Sequence, residues 1–364
     1  MIKVLAAETH YLGTDGKVRL SAVDWYRLHN PLKEVDKHCK DIKVDFIKRI
    51  IPKDGNEDLE WAKIGKNYDI LYTSYIDTPK AYAYIKAISH KYGIKHITDL
   101  DDNLFEVDKM NPVYLRYYPD SVDLKNATIM IQDSQFISVS TPHLKNVVDR
   151  VRGRKDSVLL PNYANFEAYK YDKDKVPDNS PNIIVGYQGS STHYSDLFKT
   201  GVMDAIRRLM NEYSELKFYI IGMGTEDIYQ YLPKERVILE GGERDHKNWR
   251  KKWQELPIDI GIAPLTDTSF NRAKSSIKYY EYAMRKIPAV YSFVNSYTQV
   301  VLENRTGFLA VDTLSWYYKL KRLIDSKKLR KQIAEASYKD VKKKYNIKNN
   351  YKPVEDFIRK VAND

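Results

Sequence analysis

Short apolar runs alternate with helix-length stretches along almost the whole chain, in two series parted by one segment that has no periodicity. The first series places strand-like runs at residues 2–6, 42–47, 69–73, 95–99, 136–140 and 157–160. The second places them at 183–187, 217–221, 237–239, 258–263 and 289–291. Strands separated by helix-length connections pair in parallel, because a parallel neighbour needs a crossover of a dozen or more residues. Helix candidates at 20–38, interrupted by Pro31, and at 79–92 fill two of these crossovers. Between the series, residues 169–181 exchange apolar side chains for Lys, Asp, Asn and Pro, the composition of a linker. The pattern predicts an α/β chain of two Rossmann-like, doubly wound units: residues 1–170, a linker at 171–181, and residues 182–346. Two such units set face to face leave a cleft, and ligands of open α/β sheets bind beyond the C-terminal ends of the strands.

Composition removes several classes. Of the 364 residues, 43% are apolar and 12% aromatic, enough to bury two cores and unlike a disordered chain. No apolar run approaches the ~20 residues of a membrane span, and the opening strand-like run carries no secretory cleavage pattern, so a cytoplasmic protein is expected. Cys39 is the one cysteine, which rules out an intrachain disulfide and a thiolate metal cluster. The net charge of +11 is concentrated: residues 319–348 hold twelve Lys and Arg against Asp325, Glu335 and Asp340. Such a cluster attracts phosphate-bearing partners or an anionic membrane surface, or is a solvated helix face.

Five segments could carry chemistry. After the first strand, Gly13 and Gly16 allow backbone N–H groups to approach an anion or a sugar, or simply form a turn; the spacing is not G-x-G-x-x-G, which argues against dinucleotide binding. Arg27 follows on a helix and either faces the cleft or the solvent. The strand at 95–99 runs into Asp99, Asp101 and Asp102, three carboxylates in four positions. They could hold a divalent metal against a diphosphate, orient or deprotonate a sugar hydroxyl, or cap the next turn. In the second unit, the strand at 183–187 breaks into a hydroxyl-rich loop with Gly189 and Ser190, an anion cradle that lacks the Lys-Ser/Thr ending of a Walker loop. His193 just beyond it contacts a ligand or starts the helix. Finally, Lys274, Lys278 and Glu281 stand four and three apart, with Ser275 beside them, so that one helix face would offer two ammonium groups to a diphosphate and a carboxylate to a vicinal diol such as ribose.

Taken in order, the glycine loop, Tyr26-Arg27 with Pro31, Asp99 to Phe105, Ser138 to Pro142, Leu160-Pro-Asn162, Gly186 to Ser190, and Phe270 to Glu281 resemble the retaining GT-B glycosyltransferases of the family-4-like group, glycosyl transferases group 1, including phage and bacterial types. The resemblance implies transfer of a sugar from a nucleoside-diphosphate donor, UDP-sugar foremost, to an acceptor hydroxyl with retention. It implies no bound cofactor beyond that co-substrate and no required metal, and a final segment, 347–364, whose helix crosses back to the first unit. Donor contacts would come from Gly13, Gly16, Gly189, Ser190, Arg272, Lys274, Ser275, Lys278 and Glu281. The catalytic group would lie among Asp99, Asp101 and Asp102, and Arg27 and His193 would face the acceptor. Glu281 matches the second glutamate of the group's E-x₇-E signature, and Ala273 stands where the first would be. Asn271, Arg272 and Lys274 would then share its contact to the donor sugar. The acceptor is open among a lipid-linked glycan at a membrane face, an anionic wall polymer and hydroxymethylated DNA. A non-catalytic nucleotide- or sugar-binding protein of the same fold is the alternative.

Overall fold

The computed structural model describes residues 1–8, 11–12, 18–47, 64–76, 78–169, 182–222, 226–243 and 245–364. Gly13, Gly16 and the segment 171–181 lie outside the described residues.

The first half forms a six-stranded parallel sheet from β1 (Ile2–Ala7), β2 (Ile42–Ile47), β3 (Ile70–Ser74), β4 (Lys95–Leu100), β5 (Phe136–Val139) and β6 (Val158–Leu159), in the order β2-β1-β3-β4-β5-β6. The second half repeats the scheme with β7 (Ile183–Gln188), β8 (Leu216–Ile221), β9 (Val237–Glu240), β10 (Ile260–Ala263), β11 (Ala289–Ser292) and β12 (Phe308–Ala310), ordered β9-β8-β7-β10-β11-β12. The inner strands bury both faces, as parallel strands under helices must, while the edge strand β2 alternates buried and exposed residues. Along β8, Phe218 and Ile220 point into one apolar cluster while Tyr219 and Ile221 point into the cluster on the opposite face. The order reverses between β1 and β3 in the first sheet and between β7 and β10 in the second, and these reversals open the crevices where loops receive ligands.

A helix expected at 20–38 runs from Ala22 to His38, and Pro31 does not break it. A π-helical turn at Trp25–His29, closed by the Asn30 N–H donating to the Trp25 carbonyl, separates Ala22–Asp24 from Asn30–His38. Proline lacks the N–H that an α-helix would require at 31, and the widened turn absorbs the defect. The same turn rotates Arg27 inward.

The chain passes between the halves twice. After β6 it runs over Ala164, and it returns through Tyr345 and Ile347 to the Lys352–Asn363 helix. The two passes touch, with the Ala164 N–H donating to the Tyr345 carbonyl at 2.8 Å and the Ile347 N–H to the Ala164 carbonyl at 2.8 Å. The last helix then buries Val354, Phe357, Ile358 and Val361 against Val4, Leu28, Leu32 and Ile70 of the first half, and Arg359 pairs with Asp41 at 2.6 and 2.8 Å. Among the described residues no helix is long and apolar enough to cross a membrane.

Candidate active site

A cavity of about 410 Å³ lies between the two halves, at the C-terminal ends of β4, β7 and β10. Its lining brings together Asp101, Asp102, Ser190, His193, Lys274, Ser275, Lys278 and Glu281 from the sequence candidates, and adds Tyr26, Gln188, His246 and Trp249.

Two loops build the second-half wall. Gly222 after β8 adopts φ +94°, and a Cβ there would meet the Gly189 carbonyl at 2.4 Å, so this close crossing of two strand ends admits only glycine. It sets the Gly189–Ser190 turn against the switch point. After β10, a short helix Ser269–Arg272 ends before a second helix, Ile277–Met284, begins. Lys274 and Ser275 therefore sit in the turn between them, and only Lys278 and Glu281 share a helix face. The expectation of one continuous face fails here because Ala273 is buried in the first half's cluster with Leu100, Leu104 and Val139, and its carbonyl accepts a hydrogen bond from Thr141 Oγ1 at 2.9 Å. Ala273 is a seam residue. A longer acidic side chain at this position would bury a carboxylate among leucines.

The groups named to replace that glutamate are placed differently. The Asn271 amide donates to Asp196 Oδ1 and the Thr266 carbonyl, both at 3.0 Å, so it braces the loop. Arg272 turns outward to Asp267 at 2.7 and 2.8 Å and does not line the cavity. Lys274 reaches across the cleft to Asp102 Oδ1 at 2.7 Å.

The first-half wall carries a correction of equal weight. Arg27, expected to face the cleft, is buried behind it: Nε and Nη2 donate to the two Asp99 oxygens at 2.7 Å each, and Nη1 donates to the Leu160 carbonyl at 2.6 Å and Asn162 Oδ1 at 2.9 Å. Asp99 also accepts from Ser138 Oγ at 2.5 Å. With every Asp99 oxygen engaged, Asp99 is unavailable to a metal or a substrate. Burial opposes the Arg27 charge, but Asp99 raises its pKa above the ordinary arginine value. Of the three aspartates, Asp101 and Asp102 reach the cavity. Burial pushes Asp101 up, and the neighbouring Asp102 adds to the rise. Burial works the same way on Asp102, but the Lys274 ammonium outweighs it and holds Asp102 below the usual carboxylate range. Asn162 Nδ2 donates to Asp101 at 3.1 Å and to Ser275 at 2.8 Å, joining the two walls.

The remaining groups differ in what they leave free. Glu281 is buried and accepts from Tyr26 at 3.1 Å, Tyr169 at 3.3 Å and Gln188; desolvation raises its pKa against the pull of Lys278. Lys278 has no ion pair or hydrogen bond among the described residues, and burial lowers its pKa. His193 is pushed down to about 4, by burial first and then by Lys278 and Lys274. Its Nδ1 lies 3.1 Å from Asp196, a carboxylate that can only accept, so the neutral ring donates there and keeps its Nε2 lone pair.

Gln188 ends a strand at a switch point, a position that marks a ligand-facing side chain. Tyr26 belongs to a motif of the resemblance without a role assigned to it, and Tyr169 and His246 come from distant segments that carry no sequence signal for the site. Among the described residues no group of three or more His, Cys, Asp or Glu is arranged to hold a metal ion.

No protein-family model matches the chain and no curated protein matches it in sequence. Solved structures do. HepE from Anabaena, in complex with UDP-glucose, matches with a TM-score of 0.68 at 12% identity, covering 99% of this chain and 100% of that one. Sucrose-phosphate synthase from Thermosynechococcus elongatus gives 0.64 at 12%, covering 99% of both. A glycosyltransferase from Rickettsia africae gives 0.62 at 14%, covering 99% and 98%. The chain therefore has the GT-B fold, two Rossmann-like units about a cleft.

Proposed function

We propose that this protein transfers a sugar from a nucleoside diphosphate, UDP in the first instance, to an acceptor hydroxyl with retention of configuration. The observation that carries the reading is Lys278, an ammonium with no ion pair or hydrogen bond among the described residues, three residues before the Glu281 carboxylate and at the switch point of the second sheet. A diphosphate beside Lys278, the Ser190 hydroxyl and the Gly189–Ser190 backbone puts the ribose diol within reach of Glu281. Breaking the bond between the anomeric carbon and the phosphate leaves negative charge on the phosphate oxygens, and these same groups stabilise it. Asp101, raised by burial, is the group suited to orient or deprotonate the acceptor hydroxyl, while Asp102 holds Lys274 across the cleft. His193, neutral, offers Nε2 to a sugar or acceptor hydroxyl. Solved neighbours that hold UDP or UDP-glucose with the same fold support the donor class.

Titration calorimetry with UDP tests the donor site: wild-type protein should bind and Glu281→Ala should bind at least tenfold more weakly. Equal affinity of both would move the nucleotide elsewhere. Incubation with a panel of UDP-sugars then separates the catalyst from a binding protein, since a catalyst slowly hydrolyses its donor without acceptor, and proton NMR of the product reports the anomeric configuration. Tight UDP binding with no hydrolysis or transfer of any donor would favour the non-catalytic reading, to which the alanine at 273 already lends weight.

A further inference from the structure

The excess positive charge of residues 319–348 falls mostly on the Lys327–Lys344 helix, outside the cleft. On its outer surface, residues 331, 335, 339 and 343 form one row and 332, 336, 340 and 344 the next, the four-residue spacing of neighbours on a helix. With the turn at 302–306 these rows enclose a groove of about 650 Å³. Its two acids are already matched: Glu335 lies 2.6 Å from Lys286 and 3.7 Å from Lys339, and Asp340 lies 2.6 Å from Lys344 and accepts from Tyr279 at 3.0 Å. Arg305, Lys331 and Lys343 are exposed in the same groove and form no ion pair among the described residues. Three like charges held open in a concavity, with the local acids spent on other lysines, describe a surface awaiting anions.

We propose that this groove binds a flexible linear polyanion without bases, whose repeating charges are phosphates or phosphodiesters. From 331 to 343 the helix rises about 18 Å, long enough for several successive phosphates of one chain. The lining holds no aromatic ring, so the stacking that anchors single-stranded nucleic acid is absent. Leu302 is its one large apolar residue, too little for the buried apolar face that seats a protein on a bilayer. The inference stands apart from the nucleotide reading, since none of these residues lines the cleft.

Inorganic polyphosphate is the probe, measured by calorimetry on the full chain. Three phosphate contacts give a slope of roughly −2 in log affinity against log salt, so binding should weaken roughly twentyfold between 50 and 200 mM salt. The triple variant Arg305→Glu, Lys331→Glu, Lys343→Glu should lose at least tenfold in polyphosphate affinity at fixed salt while keeping its melting temperature and any UDP affinity. A control reversing Lys66, Lys80 and Lys91 in the first half should bind polyphosphate like wild type. The proposal is overturned if the groove variant binds normally, or if the control loses as much, which would reduce the effect to net charge. It is equally overturned if single-stranded DNA of matched charge, or phosphatidylglycerol vesicles, bind the wild type more tightly than polyphosphate does.

Discussion

The two walls of the cleft handle charge in opposite ways. On the first-half wall the strongest charges cancel within the protein: Arg27 and Asp99 satisfy each other in full, and Asp102 is held by Lys274. On the second-half wall Lys278 stands without an ion pair among the described residues, and His193 is kept neutral beside it. Burial opposes both kinds of charge, so the difference lies in the partner. A charge answered by the fold serves to fix geometry, and one left unanswered is available to a ligand.

The contrast can be broken at four points. The greatest loss should come from Arg27→Met or Asp99→Asn, each of which strands a buried partner and should cost about 3–5 kcal/mol of stability in urea unfolding; a cost below 1 kcal/mol would show that the pair is not structural. Acid should come next. His96, in the first sheet, has a pKa near 4 and His246, at the cleft, near 3, both through burial. Because both folded values lie below the unfolded value of about 6.5, stability is complete above pH 6.5 and falls as pH drops through 6.5 toward 4, on the order of 3 kcal/mol for each ring. Unfolding free energies at pH 7 and pH 5 measure this, and His96→Gln or His246→Gln should flatten the dependence in proportion to its share. If neither does, other groups drive the acid loss. Lys278→Ala should leave the melting temperature near wild type and weaken UDP binding by about 1.5–3 kcal/mol, roughly ten- to a hundredfold. A destabilised variant with intact UDP affinity would put Lys278 among the structural charges. The smallest effect, and the finest test, is Tyr26→Phe. Its hydroxyl occupies Glu281 from the opposite wall, so removing it should free the carboxylate and tighten UDP binding by about 0.5–1.5 kcal/mol; weaker binding would mean that Tyr26 itself touches the nucleotide.

Much of the fold can be read in the sequence because parallel strands buried on both faces leave continuous apolar runs. Among the described residues, eleven of the twelve strands in the two six-stranded sheets coincide with such runs. The exception among these twelve is Phe308–Ala310. The loop chemistry after β7 and near β10 was legible for a related reason, since a strand that ends in small or charged residues at a switch point advertises its edge. What escaped was set by contacts between residues far apart in the chain. Arg27 meets Asp99 across 72 positions, and neither side chain alone reveals that it will be consumed by the other. The break between the Ser269–Arg272 and Ile277–Met284 helices follows from Ala273 docking into the other half, a tertiary demand that overrides the helical spacing of Lys274, Lys278 and Glu281.

The contact between the two passes of the chain at Ala164 and Tyr345–Ile347 has a mechanical meaning. Two separate tethers would let the halves slide or twist past one another, but two tethers bonded side by side behave as one axle. Motion of the halves is then a swing about that axle, like a book turning on its spine. The spine side can barely part, whereas contacts toward the fore-edge travel farthest for the same angle. Under the proposed transfer reaction, entry of the acceptor and exit of the spent nucleotide would then depend on how wide this single joint turns.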